Sequence, residues 1–232
     1  MRCRIADLIV DVPELGDMAE RCAPYRWDGG GKPDIEIFGG DLCPERWPGL
    51  AEEYLPYMET GDRFYTALLH FGGLMLHASA VALDGKAYLF SGPSGVGKST
   101  HTRMWKQLFG DAVTVFNDDK PALRRIDGRW YGYGTPWCGK DGINVNLRVP
   151  LAGICFLQRG EENSIRKLAP SEALEELLSQ TTYRLNRERM ELLLRCLDRL
   201  TEDIPIFRLQ NRPDEAAARI SHETMREAGR GI

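Results

Sequence analysis

The stretch Ala87-Tyr88-Leu89-Phe90-Ser91-Gly92-Pro93-Ser94-Gly95-Val96-Gly97-Lys98-Ser99-Thr100 decides how this chain folds. Ala87 to Phe90 is a short apolar run of strand composition. Gly92 to Thr100 then satisfies G-x-x-x-x-G-K-[ST], and Lys98 to Phe109 has helical composition. The glycines let the main chain fold tightly, so that successive N–H groups point inward at phosphate oxygens. The helix behind them adds the positive end of its dipole. Lys98 is placed to reach the β- and γ-phosphates and the Ser99 hydroxyl to ligate Mg²⁺. The whole loop, Gly92, Pro93, Ser94, Gly95, Val96, Gly97, Lys98, Ser99 and Thr100, is therefore expected to hold a nucleotide.

The next strand, Val113 to Phe116, ends in Asn117-Asp118-Asp119. A crossover after the phosphate loop should make this strand parallel to the first. Its carboxyl end then lies where ligands bind in α/β sheets. One carboxylate there can hold the metal through water, and the other can accept the proton of an attacking hydroxyl. Residue type alone leaves open which acid does which.

Further out, the near alternation of Arg4 to Val12 and of Pro33 to Phe38 reads as strands, and Gly29-Gly30-Gly31 lies between them as a turn. Leu50, Tyr54, Tyr57, Phe64, Leu68 and Phe71 recur at helical spacing, with a break expected at Gly61. Met75 to Leu83 and Lys86 to Ser91 read as strands, Gly128 to Gly134 is rich in aromatics and glycine, and Leu151 to Gln158 reads as a strand buried on both faces. Two amphipathic helices follow, marked by Leu174, Leu177 and Leu178 and by Met190, Leu193, Leu194 and Leu197. Ile204 to Leu209 reads as a strand, and Pro213 as the first residue of a last helix. The fold expected is α/β, a central mixed sheet with flanking helices. The division expected is a β-rich flank with a helical lead-in over 1–72 and a nucleotide-binding domain over 73–232.

Composition narrows the function classes. The 232 residues carry a formal charge of −4 with no long block of like charge, so nothing argues for nucleic acid or anionic lipid as a partner. The six cysteines are scattered, without a Cys-x-x-Cys pair, and are expected to be reduced and mostly buried. The start, MRCRIADLIVDVPEL, is too short in apolar residues and too interrupted by Asp7 and Asp11 for a signal peptide. No apolar run reaches the ~18–20 residues of a spanning helix, and a soluble, cytoplasmic protein is expected.

Three segments in order, Leu76-His77-Ala78-Ser79-Ala80, the phosphate loop and Asn117-Asp118-Asp119, resemble the HPr serine kinase and phosphoenolpyruvate carboxykinase group of P-loop proteins. The resemblance covers Leu76 to Leu157. It implies a P-loop kinase core with ATP and Mg²⁺, Lys98 and Ser99 serving nucleotide and metal, Asp119 as the catalytic base and Asp118 beside the metal. His77 would face the reacting phosphate, and a homo-oligomer is implied. The chain departs from the full-length kinases in its short N-terminal part and in Thr100, which replaces an acid. It also lacks the segment linked to phosphorylase activity. Shorter relatives, some associated with modified-peptide biosynthesis, look nearer in size and in Gly134-Thr135-Pro136-Trp137.

That glycine-rich stretch continues to Cys138-Gly139-Lys140-Asp141-Gly142 and is a candidate acceptor loop, with Lys140 as a phosphate clamp or a solvated turn residue. His101 and Arg103 are expected at the surface or the nucleotide edge, and Trp105 in helix-to-sheet packing. Arg184, Arg187, Arg189 and Arg195 form either a solvated face or a docking face for an acidic peptide. The leading expectation is a kinase acting on a hydroxyl, a serine of a small protein or peptide. A small-molecule kinase and a non-catalytic nucleotide switch are the alternatives.

Overall fold

The computed structural model describes residues 1–40, 42–181 and 185–229. The alternating N-terminal run makes a hairpin: β1 (Arg2–Ile5) and β2 (Leu8–Asp11) pair antiparallel across Ala6 and Asp7. Both turn residues have positive φ, 51° and 60°, the twist that a two-residue hairpin turn needs. A one-turn helix α1 (Met18–Arg21) follows, and β3 (Ile35–Glu36) adds to β2 in parallel. The first helix of length, α2 (Leu55–Leu68), runs through Gly61 without a break. Gly61 is there for contact instead, since a Cβ on it would meet the Trp137 ring at 2.9 Å.

The central sheet curls and mixes directions. Its strands are β4 (Gly73–Met75), β5 (Ala78–Leu83), β6 (Lys86–Ser91), β7 (Thr114–Asn117), β8 (Ala122–Ile126), β9 (Arg129–Tyr133), β10 (Arg148–Arg159), β11 (Ser164–Lys167) and β12 (Ile206–Asn211). The path runs β4-β8-β9-β10-β6-β5-β7, with β12 beside β10 and β11 beside β12. The run expected as one strand from Met75 to Leu83 splits at Leu76 and His77, because β4 pairs with β8 and β5 with β6 and β7. β7 is parallel to β6 as expected, but β5 lies between them, antiparallel to both.

Helix α3 (Lys98–Phe109) leaves β6 through the phosphate loop. The others are α4 (Pro170–Gln180), α5 (Arg187–Asp203) and α6 (Glu215–Ala228). Asp214 caps α6 by accepting from the Ala217 amide at 3.0 Å, so Pro213 precedes the cap and is not the first helical residue.

Alternation along the inner strands sends side chains into two apolar layers. Leu89 of β6 and Ile154 and Phe156 of β10 join Leu177, Leu193 and Leu197 from α4 and α5. Tyr88, Phe90, Cys155 and Leu157 join Trp105, Ala217 and Met225 from α3 and α6. Met190 and Leu194, expected on the buried stripe of α5, are 36% exposed at its margin. A third cluster joins Ile5, Val10 and Tyr25 to Phe64, Tyr65, Tyr133 and Trp137. Among the described residues no helix is long and apolar enough to cross a membrane, and all six cysteines are free, with Cys43 alone exposed.

Candidate functional site

Strand register brings three segments to one edge of the sheet. Ala78 at the start of β5 pairs with Ser91 at the end of β6, and Ala80 pairs with Asn117 at the end of β7. The Ser91 hydroxyl donates to the His77 carbonyl at 2.8 Å, and the Ala78 amide to the Asp119 carbonyl at 2.9 Å. His77, the entrance to the phosphate loop and the acidic pair are thus tied together by one side-chain and one main-chain hydrogen bond.

The loop itself is built on left-handed glycines. Gly92, Gly95 and Gly97 have φ of 137°, 76° and 112°, where a side chain would be strained. At Gly92 a Cβ would also press on the Leu157 carbonyl at 3.1 Å, whereas the space before Gly95 and Gly97 is open. Arg159 holds the Gly95 carbonyl at 2.7 Å. Gly97 caps α3 without a side chain, which leaves the first amides of the helix facing outward. Lys98 is buried and donates to the Gly92 carbonyl at 2.9 Å and to the Pro93 carbonyl at 3.4 Å. Burial pulls its ammonium below the usual range, and the charge of Asp119 pushes it back up. Ser99 is half-buried in the first turn, and Pro93, Ser94 and Thr100 are exposed. Open glycine backbone, uncapped helix amides, a lysine and a first-turn hydroxyl fit a triphosphate with its Mg²⁺. Among the described residues no cluster of three or more His, Cys, Asp or Glu is disposed to hold a metal.

Asn117 shapes the acidic turn. Its side-chain oxygen accepts from the amides of Asp119 and Lys120 at 3.0 and 2.7 Å, an Asx turn that fans the two acids apart. Asp118 faces the Gly134–Gly142 loop and accepts from the Gly139 amide at 2.6 Å. Burial raises its carboxyl above the usual range, partly offset by that amide. Asp119 turns the other way, with Oδ1 3.0 Å from His77 Nε2 and Oδ2 2.7 Å from Lys120 Nζ. Burial alone would raise the Asp119 carboxyl, but the His77 hydrogen bond and the Lys120 charge outweigh it and hold it well below the usual carboxylate range. The imidazole of His77 is oriented from behind by Gln180, whose Oε1 lies 3.2 Å from Nδ1.

Sequence reasoning missed several of these partners. Lys120 follows the acidic pair directly, and that adjacency was the available signal. Its ammonium also donates to the Tyr57 hydroxyl at 2.7 Å. Tyr57 and Gln180 reach the site from α2 and α4, with nothing local in the sequence to mark them. His101 corrects an expectation: it is buried, 1% exposed, and its Nε2 lies 3.0 Å from the Ser221 hydroxyl. It sits one helical turn before Trp105, which packs α3 against the sheet as expected and also against α6. Arg103 is exposed.

Lys140 is exposed in a shallow cleft with Asp17, Glu20, Arg21 and Cys138, beside the Gly134–Gly142 loop. Arg187, Arg189 and Arg195 are exposed on α5, Arg187 beside Glu191 at 3.2 Å, while Arg184 lies outside the described residues. In front of His77, Asp119 and Lys120 opens a half-enclosed cavity of about 470 Å³. Trp47, Tyr57, Met58, Tyr65, Met75 and Trp137 line it.

No curated protein matches the chain. Among solved structures, the Hpr(Ser) kinase/phosphatase from Coxiella burnetii is similar at 12% identity over 66% of this chain and 93% of that one, with a TM-score of 0.37. That likeness is too distant to carry an argument. A family model described as SynChlorMet cassette protein ScmC matches residues 53–212, from the start of α2 to just beyond β12. The match takes in the phosphate loop, the acidic turn and the cavity-lining helix over well more than half of the sequence, and the chain belongs to the SynChlorMet cassette protein ScmC family.

Proposed function

We propose that this chain is an ATP-dependent, Mg²⁺-requiring kinase with a P-loop core of the HPr kinase type. Its acceptor is a hydroxyl, the serine of a small protein or peptide. The observation that carries the reading is the His77–Asp119 contact of 3.0 Å on the sheet edge that also begins the phosphate loop. An ionised carboxylate beside a lysine-bearing phosphate loop is the pairing that phosphoryl transfer to a hydroxyl requires.

In the transfer, the acceptor oxygen bonds to the γ-phosphorus. The bond from that phosphorus to the β–γ bridging oxygen breaks, and its electron pair leaves on ADP. The hydroxyl proton passes to Asp119. Because His77 and Lys120 depress its basicity, Asp119 first orients the hydroxyl and takes the proton late, as the oxygen becomes acidic. Lys98 and the loop amides hold the donor phosphates, and His77 keeps Asp119 aimed. Ser99 and, through water, Asp118 would hold Mg²⁺, which when bound neutralises charge on the β- and γ-oxygens. Since Asp118 also grips Gly139, the metal side is linked to the acceptor loop.

A second reading, a small-molecule kinase, is favoured by the cavity, whose 470 Å³ lies within the ~300–1,000 Å³ usual for ligand pockets. The test is an acceptor screen with labelled ATP, run beside Lys98→Ala and Asp119→Asn. Phosphate on a defined hydroxyl with the parent protein, and with neither variant, supports the reading. Tight ATP binding with no transfer to any hydroxyl refutes it and leaves a nucleotide switch.

A further inference from the structure

The cavity before His77 and Asp119 has a chemistry of its own. Its walls are chiefly aromatic and thioether side chains, with Ser179 and Gln180 among them, and every charged group lining it already has a partner. Asp62 is paired with Arg46 at 2.7 Å, and Asp119 with His77 and Lys120 at 3.0 and 2.7 Å. A charged ligand would lose hydration there without finding a free counter-charge. An uncharged, bulky body gains by burial in proportion to its apolar area.

The wall is also fixed in advance. Glu59, 1% exposed, accepts from Trp47 Nε1 at 2.8 Å and pairs with Arg46 and Arg63 at 3.2 and 3.3 Å, so the tryptophan is clamped to α2. On the far side Trp137 stacks on Phe64 at 4.7 Å and donates to Thr60 at 3.1 Å. The ordering cost of binding is thereby reduced. The cavity is half open, which admits a chain passing across it with one side chain inserted.

We infer that the acceptor is a peptide whose serine or threonine stands beside a large apolar residue, phenylalanine, tryptophan or leucine. That residue enters the cavity while the hydroxyl rests at Asp119. The inference rests on the kinase reading above and names its substrate class.

Two peptides of equal charge, one serine each, flanked by Phe and Leu or by Ala, separate the possibilities. The Phe/Leu peptide is phosphorylated with kcat/KM about 10-fold or more above the Ala peptide. Without nucleotide it also shifts the emission of Trp47 and Trp137, which the Ala peptide leaves unchanged. Met58→Glu brings the ratio of the two kcat/KM values to near one, and Met58→Leu retains the preference. Equal rates on the two peptides overturn the inference and leave the kinase reading standing. Failure of transfer to both peptides, with ATP bound, counts against the kinase reading, and the emission titration then decides occupancy by itself. No shift with the Phe/Leu peptide, or the same shift with ATP alone, overturns the inference, the latter because the cavity would then hold the base. A free aryl alcohol phosphorylated as well as the peptide overturns the peptide assignment.

Discussion

His77 and His101 flank the phosphate loop in sequence and meet opposite fates in the fold. The side chain of His77 is 31% exposed at the sheet edge, with a carboxylate 3.0 Å from Nε2 and an amide oxygen behind Nδ1. His101 is shut between β6 and α6, its ring 4.4 Å from that of Phe90 and its Nε2 facing only the Ser221 hydroxyl. Burial without a counter-charge pulls the His101 pKa down to about 3. One imidazole is therefore aimed by charge and the other serves as a polar packing piece. The surroundings, not the residue type, separate site from scaffold.

The comparison breaks most sharply at the carboxylate. Asp119→Asn removes the carboxylate proposed to accept the hydroxyl proton, and on that reading should lower phosphoryl transfer by about 10²- to 10⁴-fold. Labelled-phosphate incorporation measures this, and transfer at the parent rate would remove Asp119 from the chemistry. The opposite pattern is expected at His101. His101→Ala opens a hole between α3 and α6, while the Ser221 hydroxyl keeps Trp105 Nε1 at 3.0 Å and the Ala218 carbonyl at 2.9 Å, so the cost of about 2–4 kcal/mol in urea unfolding comes from the cavity. The folded fraction should still bind ATP as the parent does.

Much of this was legible in the sequence where the signal is local. The phosphate loop, its strand and its helix are contiguous, and Asn117-Asp118-Asp119 ends the next strand, so residue order alone put them on one edge. Lys120 was adjacent and unread. The burial of His101 was encoded too, since it lies four residues before Trp105 and so on the same helical face. Tyr57 and Gln180 were not legible, because they converge on the edge only when α2 and α4 pack across the curled sheet. The same holds for Gly61. Helix propensity argues for a break there, and tertiary contact overrides it, because the Trp137 ring occupies the space of a Cβ.

Gly61→Ala tests that override and sharpens the contrast between wall and edge. The new methyl would stand 2.9 Å from Trp137 Cδ1 in a position with no slack, since the ring is already stacked on Phe64 and bonded to Thr60. A loss of about 1–3 kcal/mol is expected despite the better helix propensity of alanine. Thermal unfolding measures the sign: a rise in Tm would mean that the ring is free to yield.

The most gradual effect is the pH dependence that burial imposes on His101. Its folded pKa of about 3 lies below the ordinary 6.5, so the unfolded chain binds a proton that the folded chain refuses. Stability from this group is complete above pH 6.5 and declines as pH falls toward 3, by at most about 1.4 kcal/mol per pH unit. His222, on the neighbouring helix and against Phe109 at 4.5 Å, is also lowered by burial and adds a decline of the same sign. Asp119 adds its own decline only below the ordinary carboxylate range, because its folded pKa is depressed from there. Between pH 6.5 and 4.5 the difference in urea-unfolding slope between the parent and His101→Gln therefore isolates His101. The glutamine amide can still donate to Ser221, so the hydrogen bond is kept while the titration is removed. A flatter profile for the variant is expected, and superimposable profiles would show that the imidazole gains a proton in the folded core and that the two histidines differ less than their surroundings imply.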